Sequence, residues 1–324
     1  MSADGLPAAM TIPEAEHSLA DLLALLAAED RDDLDLAGAV LRTGWENLVV
    51  ETRDGWILRF PRPGVDFERE LAILAAVAGR LPVPTPEVVW TGRRTRFAAY
   101  RRLTGATFDP DGYERASVAD RDRLVSSLAD FLAAMHTCLS PARIRELAIP
   151  VAWGSSGVPE AATGPEGSEG PEGPEGPEGP EGPVSERLAA NLPRMPRAAW
   201  TPVEALIEEY ARAWENGGVP GPDVLLHNDF HDGNFVLDAP VGVLTGVWDF
   251  SCVARGRPTA DLRYFADGSA DLLHRLAGAY ERRTGWPMDV PAAVVALRAE
   301  NVCDQLELGH PERIAELTKG WRTT

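Results

Sequence analysis

The sequence predicts an α+β protein of two lobes, a small lobe with an antiparallel sheet and one helix, and a larger, mainly helical lobe. Residues 40–103 alternate β-prone runs with a single helical pattern, which predicts the small lobe. Most of residues 104–324 repeat apolar side chains at helical spacing, which predicts the larger lobe. Residues 1–39 are expected to form a tail and a helix ahead of both lobes.

The composition limits the classes of partner. The chain has 324 residues, 44% hydrophobic and 25% charged, which is ordinary for a soluble globular protein. Its net charge of −19 argues against a nucleic-acid or an anionic membrane partner. Its three cysteines are widely spaced, no signal peptide is evident, and no apolar run is long enough to span a bilayer. We expect a cytoplasmic protein that is a monomer or a homodimer.

Turn chemistry and periodicity define the elements of the small lobe. Asp54-Gly55 separates two β-prone runs and is a strong hairpin signal, and Gly79 is suited to end a helix. The predicted elements are, in order, a helix at about 14–29, a hairpin at 44–61, a helix at about 65–78 and strands at 87–90 and 97–103.

The larger lobe is predicted to be interrupted by an insertion. At about 154–184 the chain repeats Pro-Glu-Gly with almost no apolar residue, a composition that favours a disordered, extended segment. Helical patterns flank it. They occupy 117–139, about 202–216, 270–280 and 291–306.

The polar residues that indicate chemistry concentrate at 225–261, between apolar runs typical of short buried strands. Asn234 opens a predicted hairpin whose return strand ends at Asp249, so we expect these two oxygen-bearing side chains to lie close together. Asp229 lies one loop away with a separate carboxylate. A hard cation and a carboxylate that orients a hydroxyl are what phosphoryl transfer from a nucleotide requires.

Several motifs in this order resemble the aminoglycoside phosphotransferase family, which shares its fold with choline kinases and, more distantly, with protein kinases. The likeness covers roughly residues 40–270 and implies a bilobal, protein-kinase-like fold. The matching motifs are His227-x-Asp229-x-x-x-x-Asn234, Asp249 on the following strand, Gly256-x-Pro258-x-x-Asp261-Leu262, Phe67-Glu68-Arg69-Glu70 and Leu132-Ala133-Ala134-Met135-His136.

The resemblance also implies roles for individual residues. Asp229 would be the catalytic carboxylate that orients the acceptor hydroxyl, and Asn234 and Asp249 would hold Mg²⁺. Glu70 would pair with the cation that grips the nucleotide phosphates. The family usually has a lysine there, whereas this chain has Arg59, and its only lysine is Lys319.

The donor would be ATP or GTP, bound with its base beside Tyr100, Arg101 and Leu103. A residue as bulky as Tyr100 is expected to favour GTP. The loop over the phosphates has only Gly44, so no glycine-rich fingerprint supports the nucleotide site independently. Asn228 occupies a position where the antibiotic kinases usually have glycine and resembles the choline-kinase version.

The implied function is transfer of the γ-phosphate to a hydroxyl of a small acceptor. The favoured acceptor is an aminoglycoside- or macrolide-type antibiotic or a related metabolite, and the alternative is a choline- or homoserine-type metabolite. Acidic residues spaced on one predicted helix are candidates to bind a cationic acceptor, although a solvated helix face explains them equally well: Glu300, Asp304 and Glu307.

Two readings from other classes remain open. One is a kinase-like module that binds without catalysis. The other is a metallohydrolase with zinc held by His227, Asp229, His231 and Asp249. Outside that reading, His227 is expected to be a packing residue, and His231 is expected to be an ordinary loop residue. His136, which lies beside an apolar stripe, is expected to be a core histidine.

Overall fold

A computed structural model describes residues 17–29, 34–44, 46–152 and 182–321. The predicted Pro-Glu-Gly insertion at about 154–184 therefore lies outside the described residues up to Glu181.

The small lobe is built on a five-stranded antiparallel sheet in which the order is β1-β2-β3-β5-β4. The predicted hairpin is confirmed, and Gly55 adopts the left-handed φ of 87° that its turn requires. The strands are β1 (Val40–Thr43), β2 (Asn47–Glu51), β3 (Trp56–Pro61), β4 (Trp90–Thr91) and β5 (Ala98–Arg101).

Helix α1 (Leu19–Ala27) packs against one face of this sheet. Ser18 and Asp21 form a capping box at its start. The buried side chains of Leu22 and Leu26 pack in one cluster with the apolar residues of β2 and β3. The Glu29 carboxylate then accepts hydrogen bonds of 2.7–2.8 Å from the backbone N–H groups of residues 93–95, which fixes the helix to the β4–β5 turn.

Helix α2 (Phe67–Val77) joins the two lobes. The Asp66 side chain caps its first turn. Ile73, Leu74 and Val77 on its inner face are buried in the same apolar cluster as the helices of the large lobe. One face of α2 therefore anchors the helix to the large lobe, while Glu70 on the same helix is buried beside the sheet.

The large lobe is mainly helical, as predicted. The helices are α3 (Pro110–Arg115), α4 (Val118–Thr137), α5 (Pro141–Glu146), α6 (Val184–Asn191), α7 (Arg197–Tyr210), α8 (Ala270–Thr284), α9 (Val290–Glu307) and α10 (Ile314–Leu317). Within the described ranges, no helix has both the length and the apolar composition that a membrane crossing requires.

Helix α7 begins five residues before the proline at which the periodicity predicts its start. Pro202 lies inside the helix, and a π-helical turn (Ala211–Glu215) extends it. The buried residues Ala199, Val203 and Leu206 continue one apolar face across the proline. Packing of that face against α6 and α9 outweighs the intrinsic cost of an interior proline.

Short strand pairs carry the segment 225–261. β6 (Val224–Leu226) pairs with β9 (Ala254–Gly256), and β7 (Phe235–Leu237) pairs with β8 (Leu244–Val247). A 3₁₀ segment (Pro258–Asp267) follows β9. The polar residues of the segment thus occupy the ends of buried strands, where the backbone is fixed on both sides.

Candidate active site

A cleft of about 1500 Å³ lies between the two lobes. Its small-lobe wall is one face of the sheet, because the antiparallel register sets Val49 opposite Arg59 and Ile57 opposite Tyr100. Its large-lobe wall includes Asp229 from the loop between β6 and β7. The cleft therefore brings together residues that the sequence analysis predicted in the small lobe and in the large lobe.

Arg59 connects the two lobes across the cleft. One terminal nitrogen, Nη1, forms an ion pair with Glu70 on α2, and the other, Nη2, lies 2.8 Å from Asp249 Oδ1. The side chains of Arg59 and Glu70 are only 5% and 4% exposed. Burial by itself would lower the pKa of Arg59, but the carboxylates of Glu70 and Asp249 raise it. Burial also raises the pKa of Glu70 to about 7, against the opposing charge of Arg59.

Asp229 is held by the side chains that follow it in its loop. The Asn234 amide nitrogen donates to Asp229 Oδ2 at 2.6 Å and to the Asp229 carbonyl at 2.9 Å. His231 Nε2 lies 3.6 Å from Asp229 Oδ1. Burial alone would raise the pKa of Asp229, but His231 and Asn234 hold it below its usual range. The carboxylate is therefore ionised at neutral pH and lines the cleft as a hydrogen-bond acceptor.

The backbone before Asp229 is fixed by Asp261. Its carboxylate accepts from the backbone N–H of His227 at 2.9 Å and of Asn228 at 2.6 Å. His136 Nε2 lies 3.0 Å from the same carboxylate, and His136 Nδ1 lies 2.7 Å from the hydroxyl of Tyr280. His136 is thus a satisfied core histidine, as predicted, and it belongs to the support of the loop.

Asn228 has a left-handed backbone with φ of 63°. Glycine adopts this region without steric cost, and asparagine tolerates it better than most other residues. The geometry explains how this position accommodates an asparagine. Its side-chain amide donates to the carbonyl of Cys252 at 3.0 Å, which further fixes the turn.

Asp249 and Asn234 occupy neighbouring ends of the β7–β8 hairpin, as predicted. The backbone N–H of Trp248 donates to the carbonyl of Asn234 at 2.9 Å, which places the residue before Asp249 opposite Asn234. Asp249 has a φ of 61°, and its Oδ1 also accepts from Ser251 Oγ at 2.7 Å. The strained backbone of Asp249 turns the carboxylate into the cleft.

The zinc reading does not fit the site. His227 is completely buried, and its Nε2 lies 3.0 Å from the carbonyl of Trp248, which can only accept, so Nε2 carries the proton. Its ring packs against Phe131, Phe230 and Phe250, as expected for a packing residue. Among the described residues, no three His, Cys, Asp or Glu side chains are arranged to hold a metal.

The small-lobe side of the cleft contains two of the three residues predicted to face a nucleotide base. Tyr100 and Leu103 line it, and burial raises the pKa of Tyr100 to about 12, so its hydroxyl is neutral. The side chain of Arg101 instead lies outside, with its guanidinium 3.8 Å from the Trp56 ring centroid and a hydrogen bond of 2.9 Å to the carbonyl of Asp54.

The part of the cleft that α9 lines is acidic and aromatic. Glu300, Asp304 and Glu307 on α9 all line it, together with Trp214 and Tyr264, which the sequence pattern did not single out. The π-helical turn that carries Trp214 is a feature often found at functional sites, but periodicity alone does not reveal it.

This two-lobed architecture is the protein-kinase-like fold, and the cleft is lined by residues of both lobes that the sequence analysis predicted for a phosphotransferase site. The sequence model of the phosphotransferase enzyme family (APH) matches residues 37–294. The chain belongs to this family and is a phosphotransferase with a hydroxyl group as acceptor. No curated protein matches the chain.

Solved structures of antibiotic phosphotransferases share the fold. The GDP and kanamycin complex of APH(2'')-IIIa is 15% identical, with a TM-score of 0.68 and coverage of 91% of this chain and 95% of that chain. The streptomycin–ATP ternary complex of APH(2'')-IIa is 15% identical, with a TM-score of 0.60 and coverage of 94% and 95%. The macrolide 2'-phosphotransferase MphH from Brachybacterium faecium is 20% identical, with a TM-score of 0.60 and coverage of 93% and 99%.

Proposed function

We propose that this chain transfers the γ-phosphate of ATP or GTP to a hydroxyl of an aminoglycoside- or macrolide-type antibiotic or a related metabolite. The observation that carries the proposal is the ionised Asp229 carboxylate, which lines the same cleft as the Arg59–Glu70–Asp249 network. Phosphoryl transfer depends on positioning and charge stabilisation, and these residues supply both.

In this proposal the small lobe holds the nucleotide. Tyr100 and Leu103, with the backbone of Arg101, face the base. Arg59 faces the phosphates, and Glu70 fixes the direction of its guanidinium. Arginine can bind phosphate oxygens with two parallel N–H donors, so it can replace the usual lysine in charge although not in shape.

Asn234 and Asp249 fit a Mg²⁺ site that is completed by phosphate oxygens. The Asn234 amide nitrogen is committed to Asp229, and its Oδ1 has no hydrogen-bond donor among the described residues, so this oxygen is available to a cation. Asp249 adds a carboxylate, and Mg²⁺ in nucleotide sites typically takes only one or two protein carboxylates. When bound, Mg²⁺ would neutralise charge on the nucleotide phosphates.

Asp229 would orient the acceptor hydroxyl and receive its proton during transfer. Its lowered pKa suits an acceptor of a hydrogen bond from the hydroxyl rather than a strong base. This is sufficient because the transition state of phosphoryl transfer is loose and needs little prior deprotonation of the nucleophile.

The acidic and aromatic part of the cleft, which α9 lines, would bind the acceptor and is called the acceptor end. Its residues support a large, cationic acceptor. The Asp304 carboxylate has no hydrogen-bond or ion-pair partner among the described residues, and it lies between two further carboxylates on α9. The cleft of about 1500 Å³ exceeds the ~300–1,000 Å³ of a pocket for one small ligand. It therefore has room for a nucleotide and a multi-ring acceptor, which favours an antibiotic-sized molecule over choline or homoserine.

The test is a screen of ATP and GTP consumption with aminoglycosides, macrolides and amino alcohols, run on the wild type and on Asp229→Ala. We expect Asp229→Ala to abolish transfer and to leave nucleotide binding within about twofold, because the residue contacts the acceptor rather than the nucleotide. Asp232→Ala is the matched control, since Asp232 is on the same loop with a side chain 57% exposed.

Two results would contradict the proposal. Wild-type turnover by Asp229→Ala would remove this residue from the mechanism. If the protein binds nucleotide tightly but consumes none with any acceptor, the result would instead support a kinase-like module that binds without catalysis.

A further inference from the structure

Arg263 is a buried arginine at the acceptor end of the cleft, and no role in phosphate binding explains it. It is 9% exposed and belongs to the 3₁₀ segment after β9. Its Nε donates to Glu300 Oε2 at 2.5 Å, and its Nη1 donates to the carbonyl of Ala260 at 3.1 Å. Its Nη2 donates to the carbonyl of Asn228 at 2.5 Å and to the hydroxyl of Tyr264 at 3.1 Å.

The Asn228 carbonyl belongs to the peptide group that leads directly into Asp229. Asp261 holds the N–H of Asn228, so Arg263 and Asp261 grip the left-handed residue from its two sides. If the Asn228–Asp229 peptide group rotates, the Asp229 side chain moves relative to the acceptor hydroxyl. The position of Asp229 is therefore sensitive to Arg263, although no hydrogen bond or ion pair joins the two side chains.

Glu300 and Tyr264 fix the guanidinium from the side of the acceptor. The Tyr264 hydroxyl donates to Glu300 Oε1 at 2.5 Å, so both oxygens of Glu300 are committed, one to Arg263 and one to Tyr264. Glu300 is thus unlike Asp304, which has no such partner among the described residues. Of the predicted acidic candidates, Glu300 supports the loop that carries Asp229. Asp304 is the carboxylate that is available to bind a cationic group of the acceptor.

We propose that Arg263, held by Glu300 and Tyr264, is a positioning residue that sets the Asn228–Asp229 peptide group and couples the acceptor end of the cleft to the catalytic carboxylate. These three side chains with the Asn228 carbonyl are called the Arg263 clamp. The coupling rests on the proposed phosphotransfer, since it acts through Asp229. An acceptor that packs on Tyr264 would change the position of the Arg263 guanidinium. This change would be transmitted to Asp229 through the hydrogen bond between Arg263 and the Asn228 carbonyl.

The test compares Arg263→Lys and Glu300→Gln with the wild type. A lysine keeps the charge and the pair with Glu300, but its single ammonium cannot reproduce the planar fork that also reaches the Asn228 carbonyl. We expect kcat to fall about tenfold or more with the best acceptor of the screen, while the nucleotide KM stays within about twofold. The variant that combines Arg263→Lys with Glu300→Gln should lose no more kcat than Arg263→Lys alone, because the two residues act as one unit.

Arg283→Met is the matched structural control. Arg283 also forms an ion pair, with Asp130 at 2.5 Å, and donates to backbone carbonyls, but it joins α8 to α4 and does not line the cleft. We expect it to lose stability and to keep the kcat of the wild type. If Arg263→Lys loses stability in the same way and keeps its kcat, the residue is only structural and the proposal is overturned.

Amide hydrogen exchange of the peptide covering 225–234 gives a second readout that needs no acceptor. We expect faster exchange there in Arg263→Lys and Glu300→Gln and no change in Arg283→Met. If the wild type consumes no nucleotide, the proposed function fails, and with it the catalytic coupling. The exchange result then still decides whether Arg263 holds the loop, and unchanged exchange in Arg263→Lys would refute that.

Discussion

Replacing Arg59 with methionine separates its structural contribution from its proposed role at the phosphates. Methionine replaces the aliphatic stem of arginine and carries no charge, so Arg59→Met leaves Glu70 buried without its cation. Glu70 is 4% exposed, whereas Asp249 is 36% exposed and keeps much of its hydration. The cost therefore comes mainly from Glu70.

The expected loss in the free energy of unfolding is about 3 kcal/mol. Removing one partner of a buried ion pair typically costs ~3–5 kcal/mol. The lower end applies because the pKa of Glu70 is already about 7, so the carboxyl can take up a proton instead of remaining charged. A domain is stable by ~5–15 kcal/mol, so Arg59→Met should still fold.

The second variant is Arg59→Met combined with Glu70→Leu. Apolar residues of similar volume often replace a buried ion pair without loss of stability, so the double variant should recover most of the lost free energy. Nucleotide turnover should stay reduced by about 10²–10³-fold in both variants, because neither presents a cation to the phosphates.

Urea unfolding at pH 7 measures the stability, and nucleotide consumption measures the activity. Arg96→Met is the control. Arg96 forms an ion pair with Glu68, which is on α2 like Glu70 but has a side chain that is 71% exposed. We expect it to cost less than ~1 kcal/mol. A double variant as unstable as Arg59→Met would refute the ion-pair explanation, and wild-type turnover in the double variant would refute the phosphate role.

Tyr100, Asp304 and Leu22 each allow a direct test of the structure. Tyr100→Leu should raise kcat/KM for ATP relative to GTP by about tenfold, measured by competition of the two donors, and an unchanged ratio would show that Tyr100 does not select the base. Burial and acidic neighbours raise the pKa of Asp304 to about 6, so between about pH 4 and pH 6 the folded protein holds a proton that the unfolded chain has released. The free energy of unfolding should therefore fall as the pH rises from about 4 to about 6. Urea unfolding should show a smaller fall in Asp304→Asn. Leu22→Ala should cost ~2–5 kcal/mol in the same assay if α1 is part of the small-lobe core, because Leu22 is fully buried, and a loss below ~1 kcal/mol would contradict that packing.

Local chemistry predicted most of the elements correctly. The Asp54-Gly55 hairpin and the helices α2, α4 and α8 follow from turn residues, caps and apolar spacing, which act over a few residues. Helix α7 was predicted to begin too late, because the local signal of Pro202 is outweighed by packing on distant helices. The short helix α6 and the π-helical turn after α7 have no periodic signal long enough to detect.

By itself, the sequence predicted the two-lobed fold, the likeness to a known family, and Asp229 and Asn234 as candidate site residues on one loop. These features depend on segments of a few to a few tens of residues. The likeness depends on several motifs that follow one another in the same order as in the family. The tertiary structure alone decided how distant residues combine. Arg59 contacts Asp249 across a separation of 190 positions, and His136 contacts Asp261 across 125. The role of Arg263 was invisible in the sequence for the same reason, because the carbonyl that it holds is brought to it only when the lobe folds.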